Sequence, residues 1–151
     1  AGEIGHMTVN PGETQPCSCG KRGCLEQYAS AGGIVRLAQA AGLRVESAKD
    51  VSDLAAWGNE RAQGALKKAG RLLGLALSNA ACLVDVDGIL LGGGVAAAGE
   101  ALLSPVRDAF YANVFHAAAG TQVALASLGN DAGMYGAARL ALGSQSATTA
   151  L

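Results

Sequence analysis

Residues 2–26, GEIGHMTVNPGETQPCSCGKRGCLE, gather one histidine, three cysteines and two well-placed glutamates into a single short segment. Only Ser18 separates Cys17 from Cys19, Cys24 follows a bend at Gly20-Lys21-Arg22-Gly23, and His6 lies upstream. Together they supply four soft or borderline donors, the number a closed tetrahedral Zn2+ site needs. Gly20 and Gly23 let the backbone turn tightly enough to bring the thiolates together. Disulfide bonding is the competing reading. Cys17 and Cys19 are poorly placed to bond to each other, and nothing in the chain marks an oxidising compartment. The spacing departs from common zinc-finger patterns, so by itself it leaves both readings open.

GEIGH followed by CxCGxxGCLE resembles the signature of the ROK family (repressors, uncharacterised open reading frames and sugar kinases), and GCLEQYAS resembles its bacterial glucokinase branch. Motifs match in order from residue 2 to about residue 142. The resemblance implies an α/β fold: residues 1–142 as most of the second, C-terminal lobe of an actin-like (ribonuclease-H-like) ATPase, with a structural zinc loop inserted at residues 6–24. It implies zinc ligation by His6, Cys17, Cys19 and Cys24, and sugar hydroxyls held by Glu3, His6 and Glu26. A carboxylate accepts hydrogen bonds from neighbouring hydroxyls, and charge-assisted bonds are stronger than neutral ones, so two glutamates flanking a histidine suit a sugar ring. Without the resemblance, Glu3 and Glu26 read equally well as solvated charges, Glu26 merely favouring a helix N-terminus. His6 can serve both roles, one ring nitrogen facing the metal and the other donating to a hydroxyl. Four protein ligands leave no open position, which makes such a zinc structural.

The 151 residues suit one domain able to bury a core without disulfides. Half are hydrophobic but only 4% aromatic, so alanine, leucine and glycine dominate and favour helices packed closely on a compact sheet. A net charge of -1 without a long charged run gives no sign of nucleic-acid or membrane-surface binding, and a small, roughly neutral ligand is expected. The most apolar stretch, residues 65–84, carries Lys67, Lys68 and Arg71 and is interrupted by Gly70 and Gly74, which argues against a membrane span. No signal peptide or lipidation motif is evident, so a cytoplasmic location is expected. Because Ala1 opens directly inside a motif, the chain is expected to be a fragment.

Residues 4–9 are expected to end a strand, with an irregular loop over 10–23 punctuated by Pro11 and Pro16. Helical spacing then runs from Leu25 through Ala41, with a break at Gly32-Gly33, a stop at Gly42, and Tyr28 as packing. Asp50 is the expected N-cap of a short helix through Trp57, with Asp53 at the capping-box position. Asn59 opens a longer helix whose buried stripe includes Ala62, Leu66, Ala69, Leu73, Ala76, Leu77 and Ala80, with Arg61, Lys67, Lys68 and Arg71 on its wet side. Cys82 is expected to be an inert core residue. A short buried strand over 88–91 runs into Gly92-Gly93-Gly94, followed by helix from Val95 and a mostly helical stretch over 99–117 with Pro105 near a helix start. A strand is expected over 122–127, then a terminal helix entered at Asn130-Asp131, with a frayed tail over 143–151. His116 is assigned no chemistry.

Three glycines ending a strand let backbone approach a ligand, but a tight turn explains them equally well, and neither a Walker A nor a Rossmann fingerprint is present. In ROK kinases a matching GGG lies against the nucleotide, so the resemblance implies contacts from Gly92, Gly93 and Gly94. It further implies transfer of a phosphoryl group from ATP/Mg2+ to a hexose hydroxyl, with the catalytic base and phosphate loops upstream of the matched region. No catalytic residue is therefore expected in this chain, which is expected to be inactive alone. The alternative is the effector-sugar-sensing domain of a ROK repressor. A homodimer is expected in either case.

Overall fold

Three of the helices begin at a residue whose side chain caps them, and a fourth where the chain turns through a glycine. In the computed structural model, which describes residues 2–147, the helices are α1 (Glu26–Ala29), α2 (Ala31–Ala40), α3 (Ala48–Ala56), α4 (Glu60–Ala81), α5 (Glu100–Asn113) and α6 (Ala132–Ala147). Strands β1 (Gly88–Leu91) and β2 (Gln122–Leu125) flank α5 in the chain and pair in parallel, with Ile89 opposite Val123. Short 3-10 turns occupy Ile4–His6, Gly94–Ala98, His116–Ala118 and Gly129–Asp131. The α/β class expected from the sequence is the one observed.

Helix α4 is the hub. The Asn59 side chain accepts from the Arg61 and Ala62 amides at 3.1 Å each, satisfying two donors that the first turn leaves without a helical partner. Ala62, Leu66, Ala69 and Leu77 face inward, against Ile34 of α2, Val51 of α3, and Leu102, Val106 and Phe110 of α5. Fully burying an aliphatic or aromatic side chain of this kind stabilises by about 1.5–3 kcal/mol, and α4 and α5 carry most of it. Two glycines bring those helices together: a methyl on Gly70 would stand 2.9 Å from the Leu102 carbonyl oxygen, and one on Gly74 would overlap that of Val106. The small sheet leans on α5, where Arg107 Nε donates to the Val123 carbonyl at 2.8 Å and Tyr111 Oη to that of Thr121 at 3.1 Å.

Several local expectations are corrected. Residues 4–6 form a 3-10 turn rather than a strand, because the His6 and Met7 amides bond to the Glu3 and Ile4 carbonyls; only Thr8, bridged to Cys24, is strand-like. The break between α1 and α2 falls at Ser30, whose hydroxyl accepts from the Gly33 amide at 3.0 Å, so both glycines lie inside α2. Gly42 does stop that helix, at φ 85°. Ser47, not Asp50, caps α3; Asp50 sits at the third helical position and closes a capping box. Cys82 is exposed, since it caps α4 one residue past Ala81, the last buried position. Strand β1 is not buried on both sides: Ile89 and Leu91 pack toward the core while Leu90 is 70% exposed, because helices cover one face of the pair. Helix α5 stops at Asn113, and His116 lies exposed on a separate 3-10 turn. Asn130 and Asp131 form a 3-10 entry to α6, which continues through Ala147 into the segment expected to fray; residues 148–151 lie outside the described residues. Among the described residues no helix is long and apolar enough to cross a membrane.

Candidate metal centre

The loop that carries the cysteines is closed by backbone before any side chain is considered. Val9 and Asn10 both donate to the Gly23 carbonyl, at 2.8 and 3.2 Å, Leu25 donates to Met7 at 2.9 Å, and Cys17 donates to Lys21 at 2.7 Å. Gly20 and Gly23 take φ of 85° and 74°, the left-handed region that the return toward Cys24 requires. At Gly23 a side chain is excluded twice over, since a methyl there would overlap the Asn10 carbonyl.

This closure brings all four expected metal donors together: the ligand atoms of His6, Cys17, Cys19 and Cys24 lie within 4.8 Å of one another. Cys19 Sγ is 3.6 Å from Cys24 Sγ, and Cys17 Sγ is 3.8 Å from His6 Nδ1. A tetrahedron with metal–sulfur bonds near 2.3 Å has edges of about 3.8 Å, so the spacing suits four-coordinate binding. It does not suit a disulfide, and all four cysteines of the chain are free thiols.

The electrostatics of the pocket would also suit a cation. A hydrogen bond from the Cys19 amide lowers the Cys17 thiol to about 7, against the opposing effect of burial. Burial pushes Cys24 up to about 11, with the Cys19 and Cys17 sulfurs adding to the effect. Glu26 Oε2 lies only 3.9 Å from Cys17 Sγ, so a thiolate there faces a carboxylate. A bound dication would neutralise both and hold the buried thiols deprotonated.

Glu26 and His6 are neighbours, with Oε2 3.5 Å from Nδ1. Nδ1 is thus the ring nitrogen on the cysteine side. Glu26 opens α1 and remains exposed; Glu3, also exposed, enters the 3-10 turn that carries His6. That turn lies against α1, for a methyl on Gly5 would meet Glu26 Cβ at 3.8 Å. Lys21 Nζ donates to the His6 carbonyl at 2.6 Å and ties the turn to the loop. The structure therefore brings Glu26 and His6 into contact and places Glu3 at the start of the same turn.

Sequence reasoning missed the network behind this centre. Tyr28 Oη donates to Glu13 Oε2 at 2.6 Å and accepts from Asn10 Nδ2 at 2.8 Å; Arg36 pairs with the same Glu13 oxygen at 3.0 Å. The Tyr28 hydroxyl, with the Gln15 amide, holds the Glu13 carboxyl down at about 2. Helical spacing identified Tyr28 as buried; nothing local indicated its partners.

Gly92–Gly94 follow β1, far along the chain. Gly93 takes φ 78°, and with Gly94 it lines a hollow of about 460 Å³ at the C-terminal ends of both parallel strands. Ligands collect at such strand ends. Lys49, Ser52 and Asp53 of α3 line the same hollow, none of them identified from sequence as facing a ligand. Gly92 is not among the lining residues; it faces Ala126 instead. A larger hollow, about 560 Å³, lies along α4 beside Lys67, Lys68 and Arg71, which are exposed as a wet helix face should be.

The ROK family model matches residues 1–144. The chain belongs to the ROK family. It is 39% identical over 151 residues to a glucokinase of Halalkalibacterium halodurans, covering 90% of this chain and 46% of that protein. It is 35% identical over 143 residues to the N-acetylmannosamine kinase of Escherichia coli O7:K1, covering 95% and 47%. This ROK chain thus spans about half the length of the curated relatives it matches. Its structure resembles that of a ROK glucokinase from Streptomyces griseus in complex with glucose and AMPPNP, with a TM-score of 0.81, 34% identity, and coverage of 93% of this chain and 51% of that one. It also resembles a ROK transcriptional regulator, a homolog of the E. coli MLC protein, with a TM-score of 0.72, 26% identity, and coverage of 82% and 34%.

Proposed function

We propose that this chain is the sugar- and zinc-binding part of an ATP-dependent hexose kinase of glucokinase type, working in the cytoplasm. The carrying observation is the contact of Glu26 with His6, 3.5 Å apart, beside four clustered metal donors in a ROK chain. Likeness to a glucokinase in complex with glucose and AMPPNP supports the choice of ligands. His6, Cys17, Cys19 and Cys24 hold a structural Zn2+, which supplies the charge that the loop's thiolates and Glu26 need in order to coexist. With Nδ1 on the metal side, His6 presents Nε2–H to a sugar hydroxyl. Glu3 and Glu26 accept from neighbouring hydroxyls, which orients the ring and fixes which oxygen faces ATP. Gly93 and Gly94 let the nucleotide approach backbone at the ends of β1 and β2, with Gly92 supporting the turn behind them. Lys49 and Ser52 stand at the edge of that hollow.

The acceptor proton leaves to a base supplied by the upstream lobe, as the family resemblance implies, so catalysis belongs to the intact protein. A homodimer is part of the same proposal. The test is glucose-dependent turnover of ATP by the intact protein, together with metal analysis. One zinc per chain and phosphorylation of glucose or N-acetylmannosamine are expected; metal-free protein that still binds sugar would refute the metal's role.

The likeness to a ROK regulator favours a second reading, an effector-sensing domain of a repressor. Sugar binding without ATP turnover, combined with sugar-sensitive DNA binding by the intact protein, would decide for it.

A further inference from the structure

Among the bonds seen in the described residues, Arg36 is the only side chain on α2 that reaches both the metal loop, at Glu13 and Gln15, and α1, at Gln27. Its Nε and Nη2 both donate to the Gln27 carbonyl, at 3.2 and 2.9 Å. Its Nη1 donates to Glu13 Oε2 at 3.0 Å and to Gln15 Oε1 at 3.3 Å. The guanidinium also lies over the Tyr28 ring, 4.9 Å from the centroid, a favourable cation–π distance. Gln27 extends the grip: its amide nitrogen donates to the Gln15 carbonyl at 3.0 Å, and its amide oxygen accepts from the Cys24 amide at 3.1 Å.

Glu26 is held between these bonds. It follows Leu25, whose amide is fixed to Met7, and precedes Gln27, whose carbonyl carries the bifurcated Arg36 contact. Helix α1 has four residues, far too few to hold its orientation by its own hydrogen bonds. None of the Arg36 bonds uses a cysteine sulfur or a His6 nitrogen. Their hold on the loop therefore uses none of the candidate metal donors. A planar fork can bridge a carbonyl, a carboxylate and an amide while stacking on an aromatic ring; a lysine ammonium cannot.

We propose that Arg36 is a positioning residue: it locks α1 to the 10–15 segment and thereby sets the aim of Glu26 toward the sugar. Its consequence for sugar rests on the function proposed above; its consequence for the loop does not. Glu13 and Tyr28 complete the lock, joining Arg36 to Asn10 through one carboxylate and one hydroxyl.

The experiment is amide hydrogen exchange in the intact protein stripped with a chelator, with glucose affinity measured on the zinc-loaded form. In Arg36→Gln, the Leu25 and Gln27 amides should exchange about tenfold faster while the α4 amides of Leu66 and Ala69 keep their protection. The glucose Kd should rise about five- to tenfold, the size expected for losing part of one charge-assisted contact. Arg36→Lys should fail to restore either property. Tyr28→Phe, which keeps the ring under Arg36, should loosen the 10–15 segment without releasing Gln27. Glu26→Gln should weaken glucose binding with no change in exchange. Unchanged loop exchange in Arg36→Gln would overturn the proposal. So would equal loss of protection in α4, which would mark a global folding role, and so would a faster loop with unaltered glucose affinity. If the wild-type protein binds no sugar, the sugar reading falls while the exchange data still decide whether Arg36 locks the loop.

Discussion

Gly33 lies directly against the backbone of Tyr28: a methyl at Gly33 would stand 2.7 Å from both the nitrogen and the carbonyl carbon of Tyr28. The junction of α1 and α2 closes to that degree because Ser30 leaves the helical conformation, with ψ 168°, and caps the second helix. The obstructing atoms are backbone and cannot swing aside. Gly33→Ala should cost about 3 kcal/mol and lower the Tm by roughly 6–12 °C in thermal denaturation. Gly32→Ala is the control. Its methyl would meet only Ser30 Oγ at 3.9 Å, so it should be neutral or stabilise by up to about 1 kcal/mol.

The α4–α5 crossing makes a similar demand. A methyl on Gly74 would lie 2.8 Å from Ala109 Cβ and overlap the Val106 carbonyl, whereas one on Gly70 would meet Pro105 Cγ and the Leu102 oxygen, each at 2.9 Å. Both substitutions should destabilise by about 1–3 kcal/mol, Gly74→Ala the more, as measured by denaturant midpoints. Equal midpoints for Gly74→Ala and wild type would contradict the packing.

Replacing Glu26 with Gln should separate sugar binding from metal binding. The carboxylate becomes a neutral amide of the same shape, and the loss of a charge-assisted bond should weaken glucose binding about tenfold, read by calorimetry. Zinc content should stay near one per chain, because Glu26 is not among the four clustered donors. Loss of both would assign Glu26 a folding role instead.

Acid should act on the fold through Glu13. Its carboxyl is held at about 2 in the folded chain against an ordinary 4.5, chiefly by the Tyr28 hydroxyl, so protonation favours unfolding. The stabilisation is fully present above about 4.5 and is lost as the pH falls toward 2. Asp50, lowered by the Glu46 amide and the Ser47 side chain and amide, adds to the same limb. Glu13→Gln should therefore flatten, without abolishing, the drop in Tm across that range. An unchanged slope would show that the Glu13 contact carries no folding energy.

The isolated 151-residue chain should show no glucose-dependent ATP turnover in a coupled assay. Under the proposed function the base that removes the acceptor proton belongs to the intact protein rather than to this chain, and positioning alone does not supply it. Turnover by the chain alone would place a base within it.

Where residues act through neighbours in the chain, the sequence was readable. Asn59 before a periodic run located the start of α4, and Gly42 located the end of α2. The clustering of the cysteines was readable for the same reason, since Cys17, Cys19 and Cys24 need only a turn to meet. The cap of α3 was misplaced because Ser47 and Asp50 are both good caps. The choice between them depends on Asp50 reaching back to the Ser47 amide at 2.9 Å, a geometry that composition does not encode. Residues 4–9 read as the end of a strand, but the His6 and Met7 amides find carbonyls three residues back, and the local turn prevails.

By itself, then, the sequence determined the closely spaced cysteines, the long amphipathic helix and the family, because each is written in short local patterns. Only the tertiary structure decided which glycines are closed to any side chain, which face of β1 stays open, and how Glu26 is held. Those depend on contacts such as Arg36 with Glu13, 23 positions apart. Their energy appears only after the loop between them has closed, and loop closure is set by the packing of the whole chain.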